Sequence, residues 1–164
     1  MVKVEIFGLA VDEAGKSPII VLKDEEETRV LPIWIGAMEA MSISMAINKV
    51  PFPRPMTHDL LLNAIRVLGG AVARVEITDI EDGTFFAEIV VDTGNETLRI
   101  DSRPSDAIAL AVRAECPILA GETVLDEAGG AFPEHPEAVI KTEDAEKWQE
   151  ELDKLSEDDI KYKM

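Results

Sequence analysis

Extended segments in this chain come in runs rather than alternating one by one with helices, and that ordering does most to narrow the fold. Val2 to Val11 alternates apolar and polar residues with the period of a strand, and Ser17 to Lys23 reads as a second strand after an Asp12-Glu13-Ala14-Gly15 turn. Thr28 to Ile35 reads as a third strand, with Pro32 marking an edge or a bulge because proline cannot donate to a ladder. Gly36 breaks the pattern, and Ala37 to Val50 then reads as a helix with Met38, Met41, Ile43, Met45, Ala46 and Ile47 turned inward. After a stiff proline-rich loop from Pro51 to Pro55, Thr57 caps a second helix whose stripe is Leu60, Leu61, Ala64, Ile65 and Leu68. Gly69-Gly70 ends that helix.

A meander follows, with strands at Ala71 to Ile80, Thr84 to Val91 and Glu96 to Asp101, joined by turns at Asp82-Gly83 and Thr93-Gly94-Asn95. A third helix is predicted from Pro104 to Glu115, then short extended pieces at Ile118 to Leu119 and Thr123 to Leu125. Asp126 to Pro136 reads as loop, and Thr142 caps a last, highly charged helix reaching about Leu155, with Trp148, Leu152 and Leu155 as its apolar stripe. Strands grouped before helices indicate an α+β fold: a mixed, largely antiparallel sheet packed with three main helices and a charged C-terminal one. The natural division is a domain over residues 1–130 and an acidic extension over 131–164.

Charge is uneven along the chain. Of the formal −17, residues 114–164 carry −10, from 15 acidic and 5 basic side chains. Such acidity disfavours a loose electrostatic grip on nucleic acid and speaks for solvation. Every basic residue from Arg54 to Arg113 is an arginine, the side chain that grips phosphate or carboxylate in bidentate fashion. No apolar run reaches the length of a membrane span, and the start lacks the apolar stretch of a secretory signal. Cys116 is the only cysteine, which fits a reducing cytoplasm and reads as a small buried hydrophobe.

The residues with chemical potential lie at two helix starts. Arg54-Pro55-Met56-Thr57-His58-Asp59 and Asp101-Ser102-Arg103-Pro104-Ser105-Asp106 each set an Arg-Pro pair, a hydroxyl residue and an early-turn Asp before an apolar helical run. Free amide groups and the helix dipole favour anions at such ends. Arg54, Arg103, Thr57 and Ser105 are candidates to bind a phosphate, and His58, Asp59 and Asp106 to carry catalysis, with the imidazole moving the proton. Asp59, Asp101 and Asp106, with Glu39 at the start of the first helix, are candidate oxygen ligands for Mg²⁺ or Mn²⁺. Each pattern also has a plain structural reading as capping and Asp–Arg pairing. Gly-rich phosphate loops, G-x-S-x-G, H-E-x-x-H and cysteine zinc patterns are absent, which gives a covalent serine or cysteine hydrolase little support. His135, between Glu134 and Pro136, reads as an exposed loop residue.

Taken in order, L-P-I-W-I-G-A-M-E-A from Leu31, R-P-M-T-H-D-L-L from Arg54 and D-S-R-P-S-D-A-I-A-L-A from Asp101 resemble the bifunctional nuclease family, from about Val2 to Leu125. The W-Q-E-E-L-D-K-L-S-E-D-D tail from Trp148 is similar to tails of bacterial members. The resemblance implies a compact α+β domain that forms homodimers and acts on both DNA and RNA. Glu39, Arg54, His58, Asp59, Asp101, Arg103, Ser105 and Asp106 stand at the motif positions. A non-catalytic dimeric module that binds an anion or a partner is the alternative on the residues alone.

Overall fold

The computed structural model describes residues 1–12, 17–131 and 139–159, with side chains through 154. Two antiparallel meanders are joined into one sheet. The first comprises β1 (Val2–Asp12), β2 (Ser17–Asp24) and β3 (Arg29–Trp34), and it is followed by α1 (Ala37–Ile47) and α2 (Thr57–Val67). The second comprises β4 (Ala71–Glu81), β5 (Thr84–Asp92) and β6 (Thr97–Ser102), followed by α3 (Pro104–Ala114). The seam between them is β7 (Ile118–Ala120), three residues long, antiparallel to β1 and parallel to β4. Then come α4 (Glu122–Ala128), the two-residue strands β8 (Gly130–Ala131) and β9 (Ile140–Lys141), a 3-10 turn over Thr142–Asp144, and α5 (Ala145–Asp159). The sheet order is β6-β5-β4-β7-β1-β2-β3-β8, with β9 paired to β1.

Local chemistry accounts for most of these elements. Asp82 and Gly83 both adopt positive φ, 49° and 78°, as a two-residue hairpin turn between Glu81 and Thr84 requires. Pro32 pairs with Val21 on one side, and among the described residues the other side of β3 is covered only at Arg29 and Val30, by β8, which suits a residue that cannot donate to a ladder. The buried Asp24 closes the β2–β3 turn by accepting hydrogen bonds from the backbone N–H groups of Thr28 (2.8 Å) and Arg29 (3.1 Å) and from the Thr28 hydroxyl (2.8 Å).

Helix α3 is the hub. Pro104, Ser105 and every residue from Ala107 to Ala111 are buried, and the helix packs on α1, α2, β4 and β5. Small residues permit this burial on several sides. The charged α5 lies on α1, and its Trp148 and Leu152 belong to the same core cluster as α3. Trp148 is completely buried, and its indole N–H donates to the Ile140 carbonyl at 2.8 Å. Cys116 packs against this core, half-buried, with its thiol held above its usual range by burial.

Several local readings are corrected. Thr123 to Leu125 is helical, not extended, because Val124 and Leu125 are the buried face of α4. On α2 the buried residues are Leu62 and Ile65, while Leu60 and Leu68 are exposed at 61% and 86%. Ala40, Ile43 and Ser44 are the buried positions of α1, and Met38 is exposed. Thr57 is the first helical residue rather than the cap, and the Asp59 carboxylate instead accepts the Met56 N–H at 3.0 Å. The Thr142 hydroxyl donates to the Ile6 carbonyl at 2.7 Å instead of capping α5. The turn residues Glu13 to Gly15, His135 and the Leu155 side chain lie outside what is described.

Candidate active site

Three helices bring separate stretches of sequence to one point. From α1, Glu39 and Ser42 project on one side, three residues apart. His58 lies in the opening turn of α2 and Asp106 in that of α3. The Ser42 Oγ lies 2.8 Å from His58 Nδ1, and His58 Nε2 lies 2.9 Å from Asp106 Oδ1. His58 and Asp106, one from each of the two helix starts, therefore meet although they are 48 residues apart. Their meeting also recruits a serine that the sequence reading left aside.

Two arginines frame this chain. Arg103 sends its Nε to Asp106 Oδ2 at 2.7 Å, its Nη2 to Asp106 Oδ1 at 3.1 Å, and its Nη1 to Glu39 Oε1 at 3.1 Å. Arg113, whose side chain is 9% exposed, sends Nε to Asp59 Oδ1 at 2.9 Å and Nη1 to the Ala109 carbonyl at 2.8 Å. Its Nη2 reaches the Ser42 carbonyl at 3.2 Å and the Ser42 Oγ at 3.3 Å. The Glu39 carboxylate folds back over Gly36 at the start of α1, in space that a Cβ there would share.

These partners assign the proton positions. Burial opposes ionisation of Asp106, but the hydrogen bonds from Arg103 and His58 outweigh it and hold the carboxyl below its usual range. The ionised Asp106 in turn raises Arg103. A carboxylate only accepts and a guanidinium only donates. With His58 neutral, Asp106 takes the Nε2–H and Nδ1 is left as an acceptor. Arg113 donates to the Ser42 oxygen, and in that tautomer the Ser42 proton goes to Nδ1. The donors then run Arg113→Ser42→His58→Asp106.

His58, Thr57, Arg103 and Asp106 stand in a wall shared by two concavities. One, of about 280 Å³, is lined on its other sides by Ser42 and the side chains of Met38, Met41, Met45 and Met56. The other, of about 770 Å³, runs towards Leu61, Phe86, Ile100 and Asp101. The α1 methionines are thus a cleft wall as well as packing.

Other expected site residues fall elsewhere. Arg54 is exposed in the proline loop and lines neither concavity, and Ser105 is buried beneath the start of α3. Asp59 turns to Arg113, and Asp101 lines only the larger groove. The carboxylates expected around Mg²⁺ or Mn²⁺ do not form a cage: Glu39 and Asp106 share one guanidinium, and Asp59 is held by another. Among the described residues no three His, Cys, Asp or Glu side chains are placed to hold a metal ion. The sequence signals at Ser42 and Arg113 are positional only. Ser42 follows Glu39 by three positions inside a methionine-rich helix, and Arg113 follows Asp106 by two helical turns.

Comparison with known proteins places the sequence in a family. The family model described as the bifunctional nuclease domain matches residues 20–132, a span that contains every residue of the relay and both arginines. The chain belongs to the bifunctional nuclease family. An uncharacterised protein of Mycobacterium tuberculosis is 36% identical over 165 residues, covering 98% of this chain and 99% of its own length. Bifunctional nuclease 1 of Arabidopsis thaliana is 33% identical over 105 residues, 62% of this chain but 32% of the plant protein. Bifunctional nuclease 2 of Oryza sativa subsp. japonica is 32% identical over 115 residues, 68% of this chain and 35% of its own length. The bifunctional nuclease domain thus spans most of this chain, and the stretch aligned with it is about a third of each plant protein's length. Among the described residues, no helix is long and apolar enough to cross a membrane.

Proposed function

We propose that this bifunctional nuclease family member hydrolyses phosphodiester bonds of DNA and RNA in the cleft between α1, α2 and α3. The observation that carries the reading is His58, held between a hydroxyl and an ionised carboxylate on the wall of a concavity. Its imidazole is the proton carrier, Asp106 fixes its tautomer and supports the imidazolium, and Arg103 at the mouth exchanges Glu39 for a phosphate oxygen. The names of the plant relatives support the substrate class. Glu39, Asp59 and Asp106 each pair with an arginine, and the roles given to His58, Asp106 and Arg103 need only the chain's own side chains. The lone cysteine and the acidic surface are consistent with a reducing, cytoplasmic setting.

The test is cleavage of single- and double-stranded DNA and RNA by highly purified protein, with and without a chelator. Wild type is expected to cut in both conditions, and His58→Asn to lose on the order of 10²–10⁴-fold in rate. Equal cutting by the two proteins would assign the activity elsewhere, and complete loss on chelation would restore a metal to the site.

The same reading includes a homodimer. Strand β6 ends the sheet order. Its Leu98 and Ile100 pair with Val91 and Ile89 and so share their face of the sheet, yet both are 42% exposed where the β5 residues are buried. Core-facing sheet therefore extends past the helix layer, next to exposed Phe86 and the larger groove, as a surface for a second copy to cover.

One specific observation favours a non-catalytic alternative, in which the cleft binds an anion or a partner's carboxylate. Arg103 and Arg113 are both already paired, as in a site whose arginines exchange one carboxylate for another. Stabilisation by inorganic phosphate without turnover would select that reading.

A further inference from the structure

The hydrogen-bond order at His58 has a chemical consequence beyond proton transfer to water. In the neutral imidazole Nε2 already carries the proton shared with Asp106, so Nδ1 is the one basic site, and the Ser42 hydroxyl occupies it at 2.8 Å. The proton within reach of the base is therefore that of Ser42. Arg113 reinforces the assignment: its Nη2 donates to the same Oγ and to the Ser42 carbonyl, directing the serine proton at His58 and placing positive charge beside the oxygen that would lose it. Ser42 also opens onto the methionine-lined cleft rather than being sealed beneath it. Nucleophile, base and orienting carboxylate are thus in contact in one line, the geometry by which an activated hydroxyl is recognised irrespective of the fold around it. The usual sequence marker for a serine nucleophile is a sharp strand-to-helix turn, and Ser42 escapes that marker because it sits inside α1.

We propose that Ser42 is the nucleophile of this cleft, attacking the phosphorus of a phosphate ester to give a covalent phosphoseryl intermediate. The proposal rests on the hydrolytic reading above and adds its covalent route. In the first half, Oγ forms a bond to phosphorus, its proton passes to His58 Nδ1, and the bond from phosphorus to the leaving alkoxide breaks. That alkoxide, opposite Oγ in an in-line displacement, takes its proton from solvent as it departs. In the second half, water attacks the same phosphorus from that side and gives its proton to solvent. The Oγ–phosphorus bond breaks, and Ser42 recovers its proton from the imidazolium. The net change is addition of one water across a P–O bond, with no oxidant, reductant or further reactant. Asp106 remains ionised throughout and stabilises the transient imidazolium.

The experiment uses the full chain and a fluorophosphonate probe, which needs no nucleic acid. Here Oγ bonds to phosphorus, fluoride leaves, and the serine proton goes to His58. Peptide mass spectrometry is expected to find a single adduct on Ser42, absent from Ser42→Ala. His58→Asn is expected to slow labelling at least a hundredfold, a typical loss for a general base. Alanine suits a helix interior, and circular dichroism confirms that each variant is folded. As a second variant, Ser42→Cys keeps a nucleophile in place and is expected to be alkylated by iodoacetamide faster than Cys116 in wild type. A folded wild type unlabelled at Ser42, or labelling unchanged in His58→Asn, would overturn the proposal. The two readings fail separately. Labelling at Ser42 without nucleic-acid cleavage would keep the nucleophile and remove the substrate class. Cleavage equal in wild type and Ser42→Ala would keep the nuclease and remove the nucleophile.

Discussion

At the scale of single residues, the site is a chain of pairings in which each side chain fixes the protonation of the next. Asp106 is the branch point, accepting from His58 and twice from Arg103. Asp106→Asn keeps the shape but turns one carboxylate oxygen into an N–H donor facing Arg103 or His58. We expect cleavage and fluorophosphonate labelling to fall together by at least tenfold with little change in fold, measured as rates beside circular dichroism. Asp24 offers a contrasting prediction, about stability. Burial works against its ionisation, but donors from Arg29 and Thr28 win and lower its pKa to about 2. The unfolded chain holds such a carboxyl near 3.9. Its ionised form therefore favours the fold above about pH 4, and that contribution is lost as pH falls towards about 2. Asp24→Asn should flatten the acid limb of a stability-versus-pH curve. At neutral pH it should cost about 1–3 kcal/mol, because buried donors lose a charged acceptor.

Among elements, α1, α2 and α3 are tied together by Arg113, which bonds Asp59 of α2, the Ser42 carbonyl of α1 and its own helix at Ala109. Asp59→Ala leaves a nearly buried guanidinium short of its counter-charge. We expect a loss of about 1.5–3 kcal/mol, seen as a melting temperature lower by several degrees. How much of this was legible in sequence depends on how many turns an element has to display its period. Strands β1, β2, β4 and β5 are long enough to show alternation, and the Asp82-Gly83 turn fixes its hairpin by backbone demands alone. Helix α4 spans seven residues, fewer than two full turns, and its adjacent Val124 and Leu125 imitate a strand. On α2 a continuous apolar stretch, Leu60-Leu61-Leu62, admits several stripes, and only packing on α3 selects the face with Leu62 and Ile65. The His58–Asp106 meeting was foreshadowed because the two helix starts share their residue pattern. Ser42 was not, because a serine inside a helix carries no mark of the neighbour it will touch. Arg54 and Ser105 carry the same motif signal as their neighbours, and only the path of the backbone separates the outward loop and the buried turn from the cleft.

For the whole molecule, two predictions concern surfaces that extend the core. Trp148 fills the space between the acidic extension and α1, so Trp148→Ala should cost about 3–5 kcal/mol and detach α5, as read by denaturant unfolding and proteolysis. On the opposite flank, Leu98→Glu with Ile100→Glu would put charge on the overhanging sheet face, and sedimentation is expected to show a dimer reverting to a monomer without unfolding. A persistent dimer would place the contact elsewhere. The junction made by β7 also bears on timing. Ser42 comes from the segment after the first meander, His58 from the helix before the second, and Asp106 from the helix after it, while β7 follows all three in the chain. A polypeptide still emerging from the ribosome has made its serine and its imidazole long before it has the carboxylate that aligns them or the strand that seals the sheet. Any reactivity that Asp106 confers on Ser42 through His58 therefore waits until α3 has been made.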